Sequence, residues 1–74
     1  MEKPSFKTDE RLSDRQHEIM VRYSAGETIM NIAADLGISP GTATEHLRRA
    51  AVKLGATNLR HAAILYDRIL RATA

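Results

Sequence analysis

Thr44, Glu45, Arg48 and Arg49 fall within little more than one helical turn of each other, and they carry the most specific chemistry in the chain. Positions three and four apart stack on one side of a helix. An arginine on such a side can fork two N–H donors onto guanine O6 and N7, a contact worth about 1–3 kcal/mol of discrimination between bases. Glu45 has two possible uses. It can accept from cytosine N4, or it can pair with Arg48 or Arg49 within the helix and orient it. Thr42, Thr44 and the free N–H groups at a helix start near Ser39 and Gly41 suit phosphate oxygens. Thr28, at the start of the preceding helix, is a further phosphate candidate. Arg49 and Lys53 read as backbone contacts rather than base readers. Lys53 reads equally as an exposed cation placed favourably near a helix C-terminus.

These side chains need a rigid carrier, and residues 28–49 supply one. Ile29, Ile32, Ala33 and Leu36 recur at i, i+3, i+4 and i+7, one face of a helix. Gly37 stands where that helix needs a residue at positive φ. Ile38 follows as an apolar plug. Ser39 then suits an N-cap and Pro40 the first helical position. The next helix, from about Pro40 to Leu54, turns Ala43, Leu47, Ala50 and Leu54 inward, and Gly55 ends it. A tight turn between two helices, with small and apolar residues inside and donors and cations outside, is the pattern of a helix that enters the DNA major groove.

Two further helices flank this pair. Ser13 caps the first, Asp14 favours its dipole, and Gln16 completes a capping box. Leu12, Gln16, Ile19, Met20 and Tyr23 form its inward stripe, with Leu12 able to staple one turn inside. Ser24-Ala25-Gly26 ends it, with Gly26 as the left-handed stop. Thr57 or Asn58 caps a last helix reaching about Arg71. Its apolar arc is broad: Leu59, Ala62, Ala63, Leu65, Tyr66, Ile69 and Leu70. The excess reads as a self-association surface with Ala62, Leu65 and Ile69 on one flank, or else as the most buried helix of the domain. Residues 1–11 mix charge, Pro4 and single apolar residues without a period, and read as a flexible lead-in. The domain proper is expected over 12–72.

Composition narrows the function. Seventy-four residues make one small domain. There is no Cys, hence no disulfide framework or thiolate metal site, which fits a reducing cytoplasm. No apolar run is long enough to span a bilayer, so no membrane partner is expected. Phe6, Tyr23 and Tyr66 are too few for a base-stacking single-strand binder. Net charge is only +2 but uneven: residues 1–40 hold five Lys or Arg against seven acids, net −2, and residues 41–74 hold six against two, net +4. The basic half begins at the arginine-bearing helix, and such asymmetry suggests a surface facing a polyanion. His46 reads as a partly buried imidazole that packs and makes one hydrogen bond. His17 and His61 lie on other helices without ligand spacing, so no metal or other cofactor is expected. Nothing arranges a catalytic triad, a phosphate loop or a carboxylate pair, and an enzyme is not expected.

The ordered set Leu12-Ser13-Asp14-Arg15-Gln16-His17-Glu18-Ile19-Met20, Gly26, Asn31-Ile32-Ala33, Leu36-Gly37-Ile38-Ser39, Thr42-Ala43, His46, Lys53-Leu54-Gly55 and Asn58 resembles the LuxR/GerE-type helix-turn-helix domain, over roughly residues 12–70 without a gap. The resemblance implies an all-α domain of four helices. The second and third form the helix-turn-helix, the third reads the major groove, and the fourth dimerises. It also implies a carboxy-terminal output module of a bacterial transcription regulator. The family commonly has Val where Ala43 stands, Lys where Thr44 stands and Arg where Leu59 stands, so an expected cation toward DNA is absent. Leu47-Arg48-Arg49-Ala50 and the alkyl-rich last helix are similar to the rhizobial quorum-sensing branch, which implies a base-reading role for Arg48.

The expectation is a sequence-specific DNA-binding regulator, cytoplasmic and nucleoid-associated, acting as a homodimer on a dyad-symmetric promoter site, with RNA polymerase as a further candidate partner. A sigma-factor region-4 module shares the pattern, but its usual Arg-Gln-Ile recognition sequence is not seen at 43–49. A reading of another class is a protein–protein regulator that pairs through its fourth helix with a full-length LuxR-type relative and blocks it.

Overall fold

The first helix starts where its side chains can satisfy the free N–H groups at its end. Ser13 Oγ accepts from the Gln16 N–H at 3.1 Å, and Gln16 Oε1 accepts from the Ser13 N–H at 3.0 Å. This reciprocal pair starts α1, Asp14–Ser24. In the computed structural model, which describes residues 12–73, α1 is followed by α2 (Ile29–Leu36), α3 (Pro40–Leu54) and α4 (Leu59–Thr73), with no strand among the described residues. The expected lead-in at 1–11 lies outside the described residues.

Each later helix has its own local start and stop. Thr28 Oγ1 accepts from the Asn31 N–H at 3.1 Å, and Ser39 Oγ from the Thr42 N–H at 3.1 Å. Pro40 occupies the first turn of α3. Asn58, rather than Thr57, caps α4, its Oδ1 accepting from the His61 N–H at 2.8 Å. Gly37 at φ 70° and Gly55 at φ 71° end α2 and α3 in the left-handed region, where a Cβ would be strained. Gly26 differs from expectation. Its φ is 101°, beyond the left-handed helical well, and Ala25 is the residue that caps α1.

α3 lies in the middle, packed on α1, α2 and α4, while α1 also packs on α2 and α4. Leu12, Ile19, Met20, Ile32, Leu47, Ala50, Ala51, Ala62 and Tyr66 form the shared core. Alanines at positions 43, 50 and 51 leave room for neighbouring helices to approach α3 closely. Leu54, expected inside, is half-buried and packs against this core, and Ala51 joins Ala50 within it.

Among the polar contacts that hold the helices in register, two differ sharply in setting. The first is buried. His17 on α1 pairs through Nδ1 with the Tyr66 hydroxyl on α4, and the rings meet edge to face with centroids 5.8 Å apart. The second is at the surface. Arg22 reaches both Glu27 in the turn and Asp35 near the end of α2, each at 2.6 Å, and Asn31 Nδ2 adds a bond to Glu27 at 3.1 Å. Arg22 holds the Glu27 carboxyl below its usual range.

Burial pushes the Tyr66 phenol from its ordinary 10.0 up to about 12. The folded state therefore keeps a proton that the unfolded chain releases near pH 10. That contribution is intact below pH 10 and is lost as pH rises from about 10 to about 12. A fall in thermal midpoint across this window, smaller in Tyr66→Phe, is the expected result.

Candidate nucleic-acid interface

The core dictates which side of α3 faces out. Ala43, Leu47, Ala50 and Ala51 point inward, so Glu45, Arg48, Arg49 and Val52 are left exposed. The side chains of Arg48 and Arg49 are 68% and 67% exposed. Glu45 lies between them. Its Oε2 accepts from Arg49 Nε at 3.1 Å, and its Oε1 sits 3.7 Å from Arg48 Nη1. The second distance is an ion-pair contact rather than a hydrogen bond. Glu45 thus binds Arg49 firmly and tethers Arg48 loosely. Of the two uses open to Glu45, orientation of the arginines is the one visible in the geometry.

The start of α3 adds exposed donors. Ser39 Oγ donates to Thr42 Oγ1 at 2.9 Å while accepting from the Thr42 N–H, so both side chains are fixed at the N-terminus. Gly41 is exposed, and a Cβ there would meet only Ser39 Oγ at 3.8 Å, an ordinary contact. Thr44 is half-buried on the edge of the same surface. Thr28 is exposed at the start of α2 with its oxygen engaged as a cap. The sequence-predicted residues Ser39, Gly41, Thr42, Thr44, Glu45, Arg48 and Arg49 therefore lie along one helix whose inner side is locked in the core.

Lys53 is placed differently. Its Nζ donates to Gln16 Oε1 at 2.9 Å, the same oxygen that closes the capping box of α1. It ties the end of α3 to the start of α1, and it lines one surface hollow together with Arg49 and Val52. His46 is half-buried, whereas the buried, hydrogen-bonded histidine is His17.

The expected self-association flank of α4 needs one correction. Ala62 is fully buried in the domain's own core, because it faces α1 and α3 together with Tyr66. Leu65 and Ile69 are half-buried, and Ile69 packs against the core. The exposed large apolar residue of this helix is Ile64, 47% exposed, with Arg68 and Arg71 exposed nearby.

Among the described residues, no helix is long and apolar enough to cross a membrane, and no group of three or more His, Asp or Glu is arranged to hold a metal ion.

Comparison with known proteins gives this geometry a family. The model for "Bacterial regulatory proteins, luxR family" matches residues 10–66. The transcriptional activator protein EsaR of Pantoea stewartii subsp. stewartii is 42% identical over 50 residues, covering 68% of this chain and 20% of EsaR. The transcriptional activator protein BjaR1 of Bradyrhizobium diazoefficiens is 44% identical over 55 residues, covering 74% of this chain and 23% of BjaR1. The probable transcriptional regulatory protein NarL of Mycobacterium tuberculosis is 40% identical over 47 residues, covering 64% of this chain and 22% of NarL. The matched region is therefore only about a fifth of the length of these relatives. No solved structure gave a significant match. With its four helices, its fixed turns and a family match spanning most of its length, the chain belongs to the luxR family of bacterial regulatory proteins and is a helix-turn-helix domain of that family's DNA-binding type.

Proposed function

We propose that this chain binds double-stranded DNA as a homodimer and regulates transcription from a dyad-symmetric promoter site, with α3 in the major groove. The observation that carries the reading is the pair Arg48 and Arg49, exposed on the outer side of a helix whose inner side is fixed in the core. Arg48 reads a guanine, since its guanidinium is only loosely held by Glu45 and keeps donors free for O6 and N7. Arg49, with its Nε committed to Glu45, turns its remaining donors to phosphate. Thr42, Thr44, Gly41 and Ser39 at the N-terminus of α3, and Thr28 at that of α2, take the flanking phosphates. Residues 12–72 form the unit that does this, and α4 brings two copies together through Leu65 and Ile69, with Ile64 beside them.

Two-fold symmetry of the protein imposes two-fold symmetry on the site, with half-sites about one helical turn apart. The experiment is selection of duplexes from a random-sequence pool by the 74-residue chain, with the number of chains per retained duplex measured in parallel. Hetero-association with a full-length luxR-type regulator and no retained duplex would favour a protein–protein role instead.

A further inference from the structure

Glu45 is one of only two acidic residues in the basic stretch 41–74, and the other, Asp67, lies on α4 paired with Arg71 at 2.8 Å. Glu45 therefore stands as the sole negative charge on α3, between the two cations that face outward. Its own side chain is 48% exposed, so the charge stands on the same outward surface as the two arginines. A helix selected for affinity alone would gain from a neutral residue here. We infer that Glu45 is a specificity-determining residue, which acts by penalising the wrong sequence rather than by adding affinity to the right one. This rests on the proposal that α3 enters the major groove.

The physical basis is the asymmetry of acceptors and donors in that groove. A duplex offers phosphates, guanine O6 and N7, adenine N7 and thymine O4, all acceptors. Only cytosine N4 and adenine N6 donate. A carboxylate accepts and cannot donate. Brought into the groove beside Arg48, it is satisfied by cytosine N4–H and repelled by most alternatives. On arbitrary DNA, where only phosphates are contacted, it cancels part of the attraction of Arg48 and Arg49. Discrimination then comes from a built-in repulsion as much as from a matched contact. Arg49 Nε already satisfies Oε2 at 3.1 Å, which leaves Oε1, loosely shared with Arg48 at 3.7 Å, as the oxygen able to accept from a base.

Two substitutions separate charge from orientation. Glu45→Gln keeps the size and removes the charge. Glu45→Asp keeps the charge and shortens the reach to the arginines. Each variant is titrated with a duplex selected by the unaltered chain and with random-sequence duplex, across a range of salt, with helicity monitored by circular dichroism. Glu45→Gln should bind random duplex roughly tenfold more tightly, since a like charge is removed from the phosphate-facing surface. The slope of log affinity against log salt should steepen by about 1. The ratio of selected to random affinity should fall at least tenfold, and Glu45→Asp should leave random-duplex binding as weak as in the parent. If Glu45→Gln changes both duplexes equally, or Glu45→Asp binds random duplex as tightly as Glu45→Gln, the inference is overturned and Glu45 only orients the arginines. Failure of the unaltered chain to prefer any duplex would instead overturn the DNA-reading proposal beneath it.

Discussion

Arg48→Ala is expected to abolish sequence preference while sparing the fold and most non-specific binding. Arg48 is 68% exposed and supports nothing in the core, so alanine, a good helix former, leaves α3 intact. Its proposed contact is a forked pair of hydrogen bonds to one guanine, worth about 1–3 kcal/mol against the wrong base. A two-fold symmetric complex uses that contact twice, so the loss on the preferred duplex is roughly thirtyfold at the low end and about 10⁴-fold at the high end. Random duplex loses only the sequence-independent attraction of one cation per chain, a small and uniform decrease. Arg49→Ala is the control. Because Arg49 acts on phosphate, its removal weakens binding to both duplexes alike and flattens the salt dependence by about 1 for each phosphate no longer neutralised. Fluorescence anisotropy with the two duplexes reads all of this. Equal losses on both duplexes in Arg48→Ala would remove the base-reading role.

Tyr66→Ala is expected to leave the chain mostly unfolded at room temperature. Tyr66 is fully buried at the meeting of α1, α3 and α4 and is among the largest side chains of the core. Truncating a buried aromatic residue costs about 3–5 kcal/mol, from the forfeited transfer energy and the cavity left behind. The hydrogen bond between His17 Nδ1 and the Tyr66 hydroxyl is lost as well, adding about 1–3 kcal/mol. A domain of this size holds only about 3–9 kcal/mol in total. The two losses together, about 4–8 kcal/mol, consume most or all of it. Tyr66→Phe keeps the ring and should cost only the smaller part, about 1–3 kcal/mol. Far-ultraviolet circular dichroism with urea titration distinguishes the pair. A Tyr66→Ala variant that retained full helicity and a cooperative transition would show that the α1–α4 contact is not central to stability.

The features legible in the sequence are those whose partners are close in the chain. Ser13 and Gln16, Thr28 and Asn31, and Ser39 and Thr42 are each three residues apart, and all three are formed, whereas the cap of α4 is open between Thr57 and Asn58 in the sequence and the structure places Asn58 there. Gly37 and Gly55 follow helices whose apolar period stops at Leu36 and Leu54, which places both turns. The arginine-bearing face of α3 is legible for the same reason, since four-residue spacing alone puts Glu45 beside Arg49.

Features carried by distant partners were not legible. His17 and Tyr66 are 49 residues apart, and nothing near His17 announces a buried hydroxyl, so it reads as one more polar residue of α1. Lys53 and Gln16 are 37 apart, and the lysine reads as a solvent-facing cation until α1 is placed against α3. Arg22 binds Asp35 across 13 residues, a clamp that depends on how α1 and α2 cross. Ala62 illustrates a different limit. An apolar arc as broad as that of α4 does not reveal which part faces inward, and packing on α1 and α3 turned Ala62 into the core and Ile64 outward.

The most direct test of sequence-specific reading by α3 is selection from a random-sequence duplex pool with the 74-residue chain, followed by sequencing. The predicted result is a two-fold symmetric consensus with a guanine–cytosine pair in each half-site, half-site centres about 10 base pairs apart, and two chains on each retained duplex. Retention without any enriched sequence, or a consensus unchanged by Arg48→Ala, would contradict it.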